Sequence, residues 1–485
     1  MWNRRALPAV IDEIGAAQAE YRRSREAYWD EFAANLARWE PPRRYFRRRL
    51  SEIYRLIVPP GKRVLDLGSA TGDLLASLEP SYGVGVDFSA RMVEISRAQH
   101  PKLVFYQADL HALDLGKTFD YIVCSDVVND LWDVQRAFEV VRAHSHPGTR
   151  FILNAYNRFW ETPRRAAEAL HVASRQPVQN WLTVEDLTNL LQLADFEVVR
   201  TWHEVLWPFR TPLVDTICNR YLVKVAPFRW FAIANFLVAR PRAPRPDAKV
   251  SVVIPCRNEA GNIPQIFDRT PEMGTATELI FVEGHSTDDT LETIEREIAR
   301  RPELQAKLLR QTGTGKGDAV RLGFQNATGD LLVILDADLT VAPEDLPRFY
   351  AAWRSGKGDF INGVRLVYPM EQRAMRFFNL VANKFFSLAF QWLLGQNMKD
   401  TLCGTKVLSR TDYETIAAHR AYFGDLDPFG DFDLIFGAAK YGLKMVDLPV
   451  RYGERKYGET NIRRWTHGWL LLKMLFRALR RLKFV

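Results

Sequence analysis

Two aspartates separated by one alanine follow a run of apolar residues in the C-terminal half of the chain. The run is Leu331–Leu335, and Asp336-Ala337-Asp338 comes directly after it. Because side chains alternate along an extended backbone, both carboxylates leave the same side of this predicted strand. Their hard oxygens suit Mg²⁺ or Mn²⁺ bridging a diphosphate, where the cation stabilises a departing nucleoside diphosphate. An Asp-x-Asp is more often a turn, but its place after a buried strand predicts metal binding by Asp336 and Asp338.

Three more polar loops are predicted at strand ends in the same region. Pro255 ends a predicted strand ahead of Glu259, and Glu283 follows the predicted strand 278–282. The third loop, GTGKGD, contains Lys316; it is not a P-loop, because no Ser or Thr follows the lysine, but it can approach a nucleotide. Parallel α/β sheets bind ligands beyond the carboxyl ends of their strands. The loops therefore predict a nucleotide site with Lys316 as a charge partner.

A glycine-rich turn and two strand-end carboxylates predict a second ligand site in the N-terminal half. The strand 64–67 is followed by Gly68 and Gly72, and the next strand ends at Asp87, 21 residues after Asp66. Glycines let the backbone approach a ligand, and an acidic residue at that offset can accept both hydroxyls of a ribose. Asp109 follows a third predicted strand.

The stretch Val64–Ile152 resembles a class I S-adenosylmethionine-dependent methyltransferase. The resemblance implies a Rossmann-like fold and S-adenosylmethionine as the cofactor. It implies that the turn Asp66–Gly72, with Gly68, lines the methionine part, that Asp87 holds the ribose, and that Asp109-Leu110 lies beside the adenine.

The catalytic group of such a domain stays open. Methyl transfer needs alignment of the nucleophile with the sulfonium and at most one base. The candidates are Asp126, Asn129, Asp130, Asn154 and Tyr156, each of which could equally be a cap or a loop hydrogen bond. The alternative is a catalytically silent domain that only binds or docks.

Residues 250–462 resemble the family 2 glycosyltransferases of the GT-A fold, among them dolichol-phosphate mannose synthase and its bacterial polyprenyl-phosphate relatives. Beyond the loops above, the resemblance is carried by NGVR at 362–365, DTLCGTK at 400–406 and PVRY at 449–452. The family often has two aspartates where this chain has Glu283-Gly284, so nucleotide preference does not carry over. The resemblance implies inversion at the sugar carbon and three sets of residues: nucleotide-sugar binding by Pro255, Glu259, Glu283 and Asp336, metal binding by Asp336 and Asp338, and lipid-phosphate binding by Arg365, Arg451 and Arg455.

The acceptor decides whether a base is required. A lipid phosphate is already anionic, so positioning by Arg365, Arg451, Arg455 and Lys456 through charge-assisted hydrogen bonds would do most of the work. A hydroxyl acceptor needs a carboxylate to take its proton, and the catalytic candidates are Asp431 and Asp433. Either could instead be a structural carboxylate ahead of the predicted helix 434–441.

Composition divides the chain into two α/β halves. The proline-rich stretch ARPRAPRPDAK marks a stiff linker. The sequence predicts a methyltransferase-like domain at 1–240 with a helical N-terminal extension, a linker at 241–249, a GT-A domain at 250–462 and a basic amphipathic tail at 463–485. The four cysteines form no CxxC pair, which suits a reducing cytoplasm.

Membrane contact is expected without a membrane span. The segment 377–398 has one polar stripe on an apolar helix, typical of an interfacial helix or of a core helix. The tail 465–485 sets basic residues on one helical face beside leucines and tryptophans. The net charge is +8, and residues 451–485 hold ten Lys or Arg and two Glu, a local surplus of the same size. The charge is therefore suited to an acidic lipid surface rather than to nucleic acid.

Together these observations predict a bifunctional enzyme, peripheral at the inner face of a membrane. Its GT-A domain would transfer a sugar, with metal dependence and inversion, from a nucleotide diphosphate sugar to a polyprenyl phosphate or lipid-linked glycan. Its methyltransferase domain would act in the same glycolipid or polysaccharide pathway. A nucleic-acid methyltransferase is the other rival, but around 154–161 only Arg158, Phe159 and Trp160 fit it.

Overall fold

The computed structural model describes residues 6–170, 177–365, 388–422, 430–451, 453, 457 and 464–484. Contacts divide the chain into two units, Met1–Arg242 and Ala243–Val485. Each unit contains a seven-stranded sheet with helices. The α/β architecture expected for both halves is confirmed, while the finer division with a linker at 241–249 and a tail at 463–485 stays a prediction.

The sheet of the N-terminal unit is doubly wound. Its order is β3-β2-β1-β4-β5-β7-β6, with β1 to β5 parallel and β7 antiparallel to both of its neighbours. The carboxyl ends of β1 to β4 therefore meet at one edge, as the predicted ligand site requires. The strands are β1 (Arg63–Leu67), β2 (Tyr82–Asp87), β3 (Val104–Gln107), β4 (Phe119–Ser125), β5 (Ser145–Tyr156), β6 (Phe196–Glu204) and β7 (Ala234–Pro241).

Helices cover both faces of this sheet. The helix α2 buries Leu50, Ile53, Tyr54 and Ile57, which recur at the spacing of one helical face, in the core against the sheet. Short polar side chains start the later helices, as at Ser89, which accepts a hydrogen bond from the Met92 amide. The helices are α1 (Ala6–Ala34), α2 (Leu36–Ile57), α3 (Asp73–Ser77), α4 (Ala90–Gln99), α5 (Val134–Ala143), α6 (Glu161–Ala169), α7 (Val184–Leu193) and α8 (Val214–Thr216).

The chain between β6 and β7, residues 205–233, forms an insertion of short helical turns that includes α8; it is called the β6–β7 insertion below. Its base is closed by a hydrogen bond from the Ile233 amide to the Val205 carbonyl, 2.7 Å. The side chain of Asn219, which is buried, accepts from the Leu206 and Trp207 amides at 2.8 Å. The insertion is thus an ordered element tied to the unit.

The sheet of the C-terminal unit is mixed. Its order is β10-β9-β8-β11-β13-β12-β14, in which β13 is antiparallel to β11 and β12 and the other pairs are parallel. The polar loops predicted after β8, β9 and β11 therefore share one edge. The strands are β8 (Lys249–Cys256), β9 (Ala276–Glu283), β10 (Gln305–Arg310), β11 (Leu331–Ile334), β12 (Phe360–Val364), β13 (Lys406–Ser409) and β14 (Met445–Pro449).

Apolar clusters lie on both faces of this second sheet. A further helical segment covers 388–394. The remaining helices are α9 (Ile263–Arg269), α10 (Thr290–Arg300), α11 (Lys316–Asn326), α12 (Leu346–Arg354), α13 (Arg410–Ala418), α14 (Phe432–Lys440) and α15 (Arg464–Ala478).

The two segments expected at a membrane are partly packed into this unit. Residues 377–387 lie outside the described residues; beyond them Phe390 is buried while Leu388 is exposed. In the tail, Leu475 packs into the core cluster and Phe476 is exposed. None of the helices in the described part of the chain combines the length and apolarity needed to cross a bilayer. Membrane contact by these segments stays a prediction.

Candidate active sites

The turn after β1 requires glycine at two positions. Gly68 and Gly72 have φ of 70° and 78°, in the left-handed region that residues with a side chain rarely adopt. A Cβ on Gly68 would overlap the side chain of Val127, and one on Gly72 would overlap the ring of Phe105. The glycines therefore keep the turn close to its neighbours and leave its backbone open.

Asp66 is the least satisfied polar group of the N-terminal unit's strand ends. Its side chain is buried, and neither carboxylate oxygen has a hydrogen-bond partner within the described ranges. Burial, together with the nearby charge of Asp87, raises the pKa of Asp66 well above its usual value. A buried acceptor without a donor is costly. This carboxylate therefore fits a ligand that brings an ammonium group or another donor.

Asp87, at the end of β2, holds the glycine turn in place. Its carboxylate accepts hydrogen bonds from the backbone amides of Ala70 and Ser89, both at 2.9 Å. Burial nevertheless raises the pKa of Asp87 to about 6. Because a carboxylate offers about four lone-pair sites, Asp87 retains capacity to accept ribose hydroxyls.

Asp109 and Leu110 complete the predicted cofactor set. Asp109 is bonded by the side chain of His111 at 2.6 Å and by the His111 amide at 3.0 Å, and these bonds lower the pKa of Asp109. Leu110 is buried next to it. A charged carboxylate beside an apolar side chain suits the polar edge and the face of an adenine.

A relay of hydrogen bonds runs through the candidates for a base. The buried hydroxyl of Tyr54 donates to Asn154 at 2.8 Å, and Asn154 donates in turn to Asp126 at 2.5 Å. Asp126 has a strained φ of 59°. Asn129 instead bonds a backbone carbonyl, and Asp130 forms an ion pair with Arg25 at 2.9 Å. Both carboxylates are thus held in position, Asp126 by the relay and Asp130 by the ion pair with Arg25.

A cavity of about 1100 Å³ joins these groups. From the strand ends it is lined by Asp66, Gly68, Asp87, Asp109 and Leu110, while Gly72 is not among its lining residues. Asp126, Asp130 and Tyr156 also line it. Pockets for one small ligand commonly reach ~300–1,000 Å³. The volume therefore suits a cofactor together with a second molecule. Aromatic and basic side chains form much of the rest of the wall, including Trp29, Arg44, Phe46, Arg47, Arg48, Trp132, Trp160, Trp181, Trp207 and Phe209.

In the C-terminal unit, Pro255, Glu259 and Glu283 meet at the ends of β8 and β9. The two strands are joined there by a bond from the Gly284 amide to the Cys256 carbonyl, 2.9 Å. Both glutamates are buried and accept hydrogen bonds from their own loops. The predicted nucleotide-binding residues are thus brought together, with their carboxylates already held in position.

Lys316 and Asp336 form an ion pair at the same edge. Lys316 is the first residue of α11 and Asp336 follows β11. Burial alone would lower the pKa of Lys316, but the charges of Asp336, Asp431 and Asp338 raise it above its usual value. A Cβ on Gly404 would overlap both partners, so glycine there lets the backbone lie against the pair.

Asp338 is held by its own loop. Its carboxylate accepts from the amide of Thr340 at 3.1 Å and from the Thr340 hydroxyl at 2.7 Å, and Leu339 has a strained φ of 55°. Across the described ranges there is no group of three or more His, Cys, Asp or Glu side chains that could hold a metal. Mg²⁺ commonly uses one or two carboxylates together with substrate phosphates. Asp336 and Asp338 therefore fit a cation that arrives with a diphosphate, with Lys316 sharing Asp336.

The two catalytic candidates differ in their partners. Asp431 precedes α14, is buried, and lies 3.3 Å from the ammonium of the fully buried Lys406. Asp433 lies in the first turn of α14 and is bonded by Arg420 at 2.8 Å. Of these two candidates, Asp431 is the one whose charge helps to raise the pKa of Lys316. Asp431 is thus grouped with the Lys316–Asp336 pair, whereas Asp433 pairs with Arg420, which lies just after α13.

Arg365 and Arg451 leave adjacent strands side by side. The parallel strands β12 and β14 pair Val364 with Pro449, and the amide of Val450 bonds the Val364 carbonyl. Arg365 is held by two hydrogen bonds to the carboxylate of Asp400, at 2.7 and 2.9 Å. This fixes its guanidinium plane, while Arg451 is exposed. Arg455 and Lys456 lie outside the described residues.

Two family models match this chain. Residues 38–201 match the model described as "Methyltransferase domain", and residues 251–416 match "Glycosyl transferase family 2". The chain joins a methyltransferase domain to a family 2 glycosyltransferase domain. Both resemblances seen in the sequence are thereby confirmed.

Curated relatives match the glycosyltransferase domain. The undecaprenyl-phosphate 4-deoxy-4-formamido-L-arabinose transferases of Salmonella paratyphi B and Salmonella enteritidis are each 28% identical to this chain over 221 residues, which cover 44% of this chain and 63% of the relative. The chain thus spans less than two thirds of the length of these relatives.

Solved structures are similar to part of the chain. One is a chain of the complex between the Haloferax volcanii Trm112 methyltransferase activator and a putative methyltransferase (20% identity, TM-score 0.35, covering 44% of this chain and 97% of that one). Another is the N-methyltransferase NodS of Bradyrhizobium japonicum with S-adenosyl-L-homocysteine (14% identity, TM-score 0.33, covering 45% and 98%).

The matched ranges contain most of the predicted site. The glycosyltransferase match ends before Asp431, Asp433 and Arg451, and the methyltransferase match ends before the β6–β7 insertion. The roles of Asp400 and Lys406 as ion-pair partners were not predicted from the sequence, although both lie in the DTLCGTK motif. Nor was Tyr54, which no spacing rule connects to Asn154.

Proposed function

We propose that the glycosyltransferase domain transfers a sugar from a nucleotide diphosphate sugar to a polyprenyl phosphate or a lipid-linked glycan. The observation that carries the proposal is the grouping of Lys316, Asp336, Asp338 and Asp431 at the strand ends, beside the loops of Glu259 and Glu283. The matching relatives are named as transferases to undecaprenyl phosphate, which supports a lipid-phosphate acceptor.

Each residue has a distinct proposed task. Asp336 and Asp338 would hold a divalent cation, which when bound neutralises charge on the departing diphosphate. Lys316, which pairs with Asp336, would donate to the diphosphate. Arg365, whose plane Asp400 fixes, and Arg451 bind the acceptor phosphate through charge-assisted hydrogen bonds. A phosphate acceptor needs no base, so Asp431 and Asp433 take a proton only from a hydroxyl acceptor.

Replacement of both metal-binding aspartates tests this assignment. Asp336→Asn with Asp338→Asn should lower transfer from a panel of nucleotide sugars into membrane lipid by more than about 100-fold, since a bound cation contributes several kcal/mol to charge stabilisation. The matched control is Asp345→Asn, which removes a surface carboxylate that pairs with Arg348. Mass spectrometry of the lipid product identifies sugar and acceptor. Equal activity of both variants would contradict the metal assignment.

We further propose that the methyltransferase domain transfers a methyl group from S-adenosylmethionine to a component of the same glycolipid pathway. The observation that carries this is the unpartnered buried carboxylate of Asp66 in the wall of the large cavity. Asp66 would bind the amino group of the cofactor's methionine part, Asp87 the ribose hydroxyls and Asp109 the adenine edge. The cofactor when bound supplies the methyl group on a sulfonium, and Asp126 accepts the proton of the acceptor.

Binding and turnover are measured separately. Asp126→Asn should leave S-adenosylmethionine affinity unchanged while methyl transfer to a membrane lipid extract falls by about 10²–10⁴-fold, the usual contribution of a general base. The matched control is Asp114→Asn, an exposed carboxylate that bonds the Gly116 amide and is not among the residues that line the cavity. S-adenosylmethionine binding without methyl transfer to any lipid or glycan would favour a silent binding domain instead.

A further inference from the structure

The β6–β7 insertion carries nearly half of the exposed large apolar side chains in the described residues. Between residues 207 and 231 lie ten of the 21 large apolar side chains that are exposed in the described residues. Soluble surfaces carry single exposed apolar residues, whereas contiguous patches mark interaction sites. The ten are Trp207, Phe209, Leu213, Val214, Ile217, Tyr221, Val225, Phe228, Trp230 and Phe231.

This exposure belongs to an ordered element. Val223 and Asn219 are buried on the inner side, and Lys224 forms an ion pair with the buried Glu204. The buried Asn219 also donates to the Tyr45 hydroxyl at 3.0 Å. The inner face of the insertion is therefore anchored by hydrogen bonds and an ion pair, and its apolar face is held outward.

The exposed charges of the insertion are positive. Arg210, Arg220 and Arg229 are exposed, and the one carboxylate in 205–233 is Asp215, which is half-buried and bonds the adjacent Thr216 amide. Tryptophan, tyrosine and phenylalanine interspersed with arginine are typical of segments that lie at a membrane surface.

The same side chains border the cavity. Trp207, Phe209 and Phe231 are both exposed and part of its wall. An amphiphile could therefore pass from an apolar surrounding at the insertion to the strand ends without crossing water. A second copy of the chain fits less well, because a symmetric contact through this face would set its arginines against one another.

We propose that the exposed apolar face of the β6–β7 insertion docks on an anionic lipid surface and opens the methyltransferase cavity toward that surface. The docking itself does not depend on the proposed reactions. The further step, in which a lipid-carried acceptor enters the cavity, rests on the proposed function.

A local reporter separates this surface from any other membrane contact of the chain. An environment-sensitive dye is attached to Leu213→Cys in a Cys218→Ser background, because the other three cysteines are buried. The matched control carries the dye at Leu193→Cys, an exposed leucine on α7 outside the insertion. The full chain is mixed with phosphatidylcholine vesicles that do or do not contain phosphatidylglycerol.

The dye at 213 should become severalfold brighter with phosphatidylglycerol vesicles and be quenched by brominated lipid, while the dye at 193 should not respond. Arg210→Gln with Arg229→Gln should weaken the apparent affinity for these vesicles by roughly fivefold for each arginine removed, because one arginine contributes ~1 kcal/mol at an anionic surface. The comparison of the dyes at 213 and 193 tests the proposal even if the arginine variants do not fold.

A silent dye at 213 on a chain that sediments with vesicles would overturn the proposal. The proposal would also be overturned if light scattering without vesicles found a dimer that Ile217→Ser with Val225→Ser converts to a monomer, because the face would then bind a second copy of the chain. S-adenosylmethionine binding is measured on the same samples. Absence of S-adenosylmethionine binding would contradict the methyltransferase proposal alone. A dye at 213 that does not respond, with S-adenosylmethionine binding intact, would contradict the docking proposal alone.

Discussion

Replacement of Asp66 by asparagine should stabilise the methyltransferase unit and abolish its cofactor binding. The carboxylate is buried without a hydrogen-bond partner among the described residues, so the folded unit holds an uncompensated acid. Asparagine keeps the shape and cannot ionise. The change therefore removes a cost of folding and, with it, the group that is proposed to bind the cofactor's amino group.

Asparagine removes the ionisable group but leaves an uncharged polar side chain in the same wall, so the expected gain is only the cost of ionising Asp66 in the folded unit. Each pH unit between the unfolded and the folded pKa of Asp66 contributes about 1.4 kcal/mol to that gain. For a unit of this size that corresponds to roughly 2–4 °C in Tm per kcal/mol. The sign depends on pH. Because burial raises the folded pKa of Asp66 above its unfolded value, the wild type loses stability as pH rises from the unfolded pKa through the folded pKa. The advantage of Asp66→Asn should therefore be small in acid and largest above neutrality.

Urea unfolding of the full chain at several pH values measures this, with and without S-adenosylmethionine. The ligand at 100 times its Kd adds about 2.7 kcal/mol to the wild type and nothing to the variant, so it shifts the difference between them by that amount in favour of the wild type. Asp109→Asn is the control, because its carboxylate is bonded by His111 and its pKa is lowered, so that variant should be less stable above neutrality. If Asp66→Asn is as destabilising as Asp109→Asn, or binds the ligand normally, the reasoning is refuted.

Three further changes address the other contacts. Tyr54→Phe removes a buried bond to Asn154 and should cost about 1 kcal/mol in urea unfolding without changing S-adenosylmethionine affinity; a cost above that of a core cavity would contradict this. Asp400→Asn leaves the largely buried Arg365 without its carboxylate and should cost about 3 kcal/mol. Because Arg365 lowers the pKa of Asp400 against the effect of burial, the wild type keeps this stability above the unfolded pKa and loses it as pH falls through the folded pKa, which pH-dependent unfolding checks. Asp431→Asn should reduce transfer to a lipid phosphate by less than about tenfold but transfer to a hydroxyl by about 10²–10⁴-fold; equal losses in kcat would exclude the base role.

Sequence patterns predicted the sheets well and the helical boundaries less well. The strand before Asp336 and the strand before Gly68 were predictable because buried parallel strands are short apolar runs bounded by polar or glycine turns. In the helical N-terminal extension, the pair Pro41-Pro42 in the sequence predicts a break between two helices. The break lies instead at Asn35, whose φ of −114° leaves the helical range, and α2 continues through both prolines. Pro41 and Pro42 are the sixth and seventh residues of α2, where each removes one backbone hydrogen bond, and nothing in the structure explains why the helix continues through them.

The site was predictable where neighbours in sequence do the chemistry and not where distant groups do. The carboxylates after each strand could be listed from spacing, since parallel strands bring their ends to one edge. Whether a carboxylate is paired depends on long-range contacts, as between Asp431 and Lys406 or Asp130 and Arg25, which no local pattern encodes. The apolar residues of the β6–β7 insertion follow neither helical nor strand spacing, so its exposed face could not be predicted from the sequence.

Both domains also place strained backbone at the loops that carry their chemistry. Asp126, Asn258 and Leu339 have φ of 59°, 57° and 55°, conformations that cost residues with side chains about 1–3 kcal/mol each. Such strain persists only where hydrogen bonds over-determine the loop, as the bond from Asn154 to Asp126 and those from the Thr340 amide and hydroxyl to Asp338 do. If the strain served only to close the turn, Leu339→Gly should change stability, through the strain it relieves and the apolar packing it removes, and leave transfer unchanged. We expect it to slow transfer, because a loop free to leave this conformation no longer holds Asp338 beside Asp336.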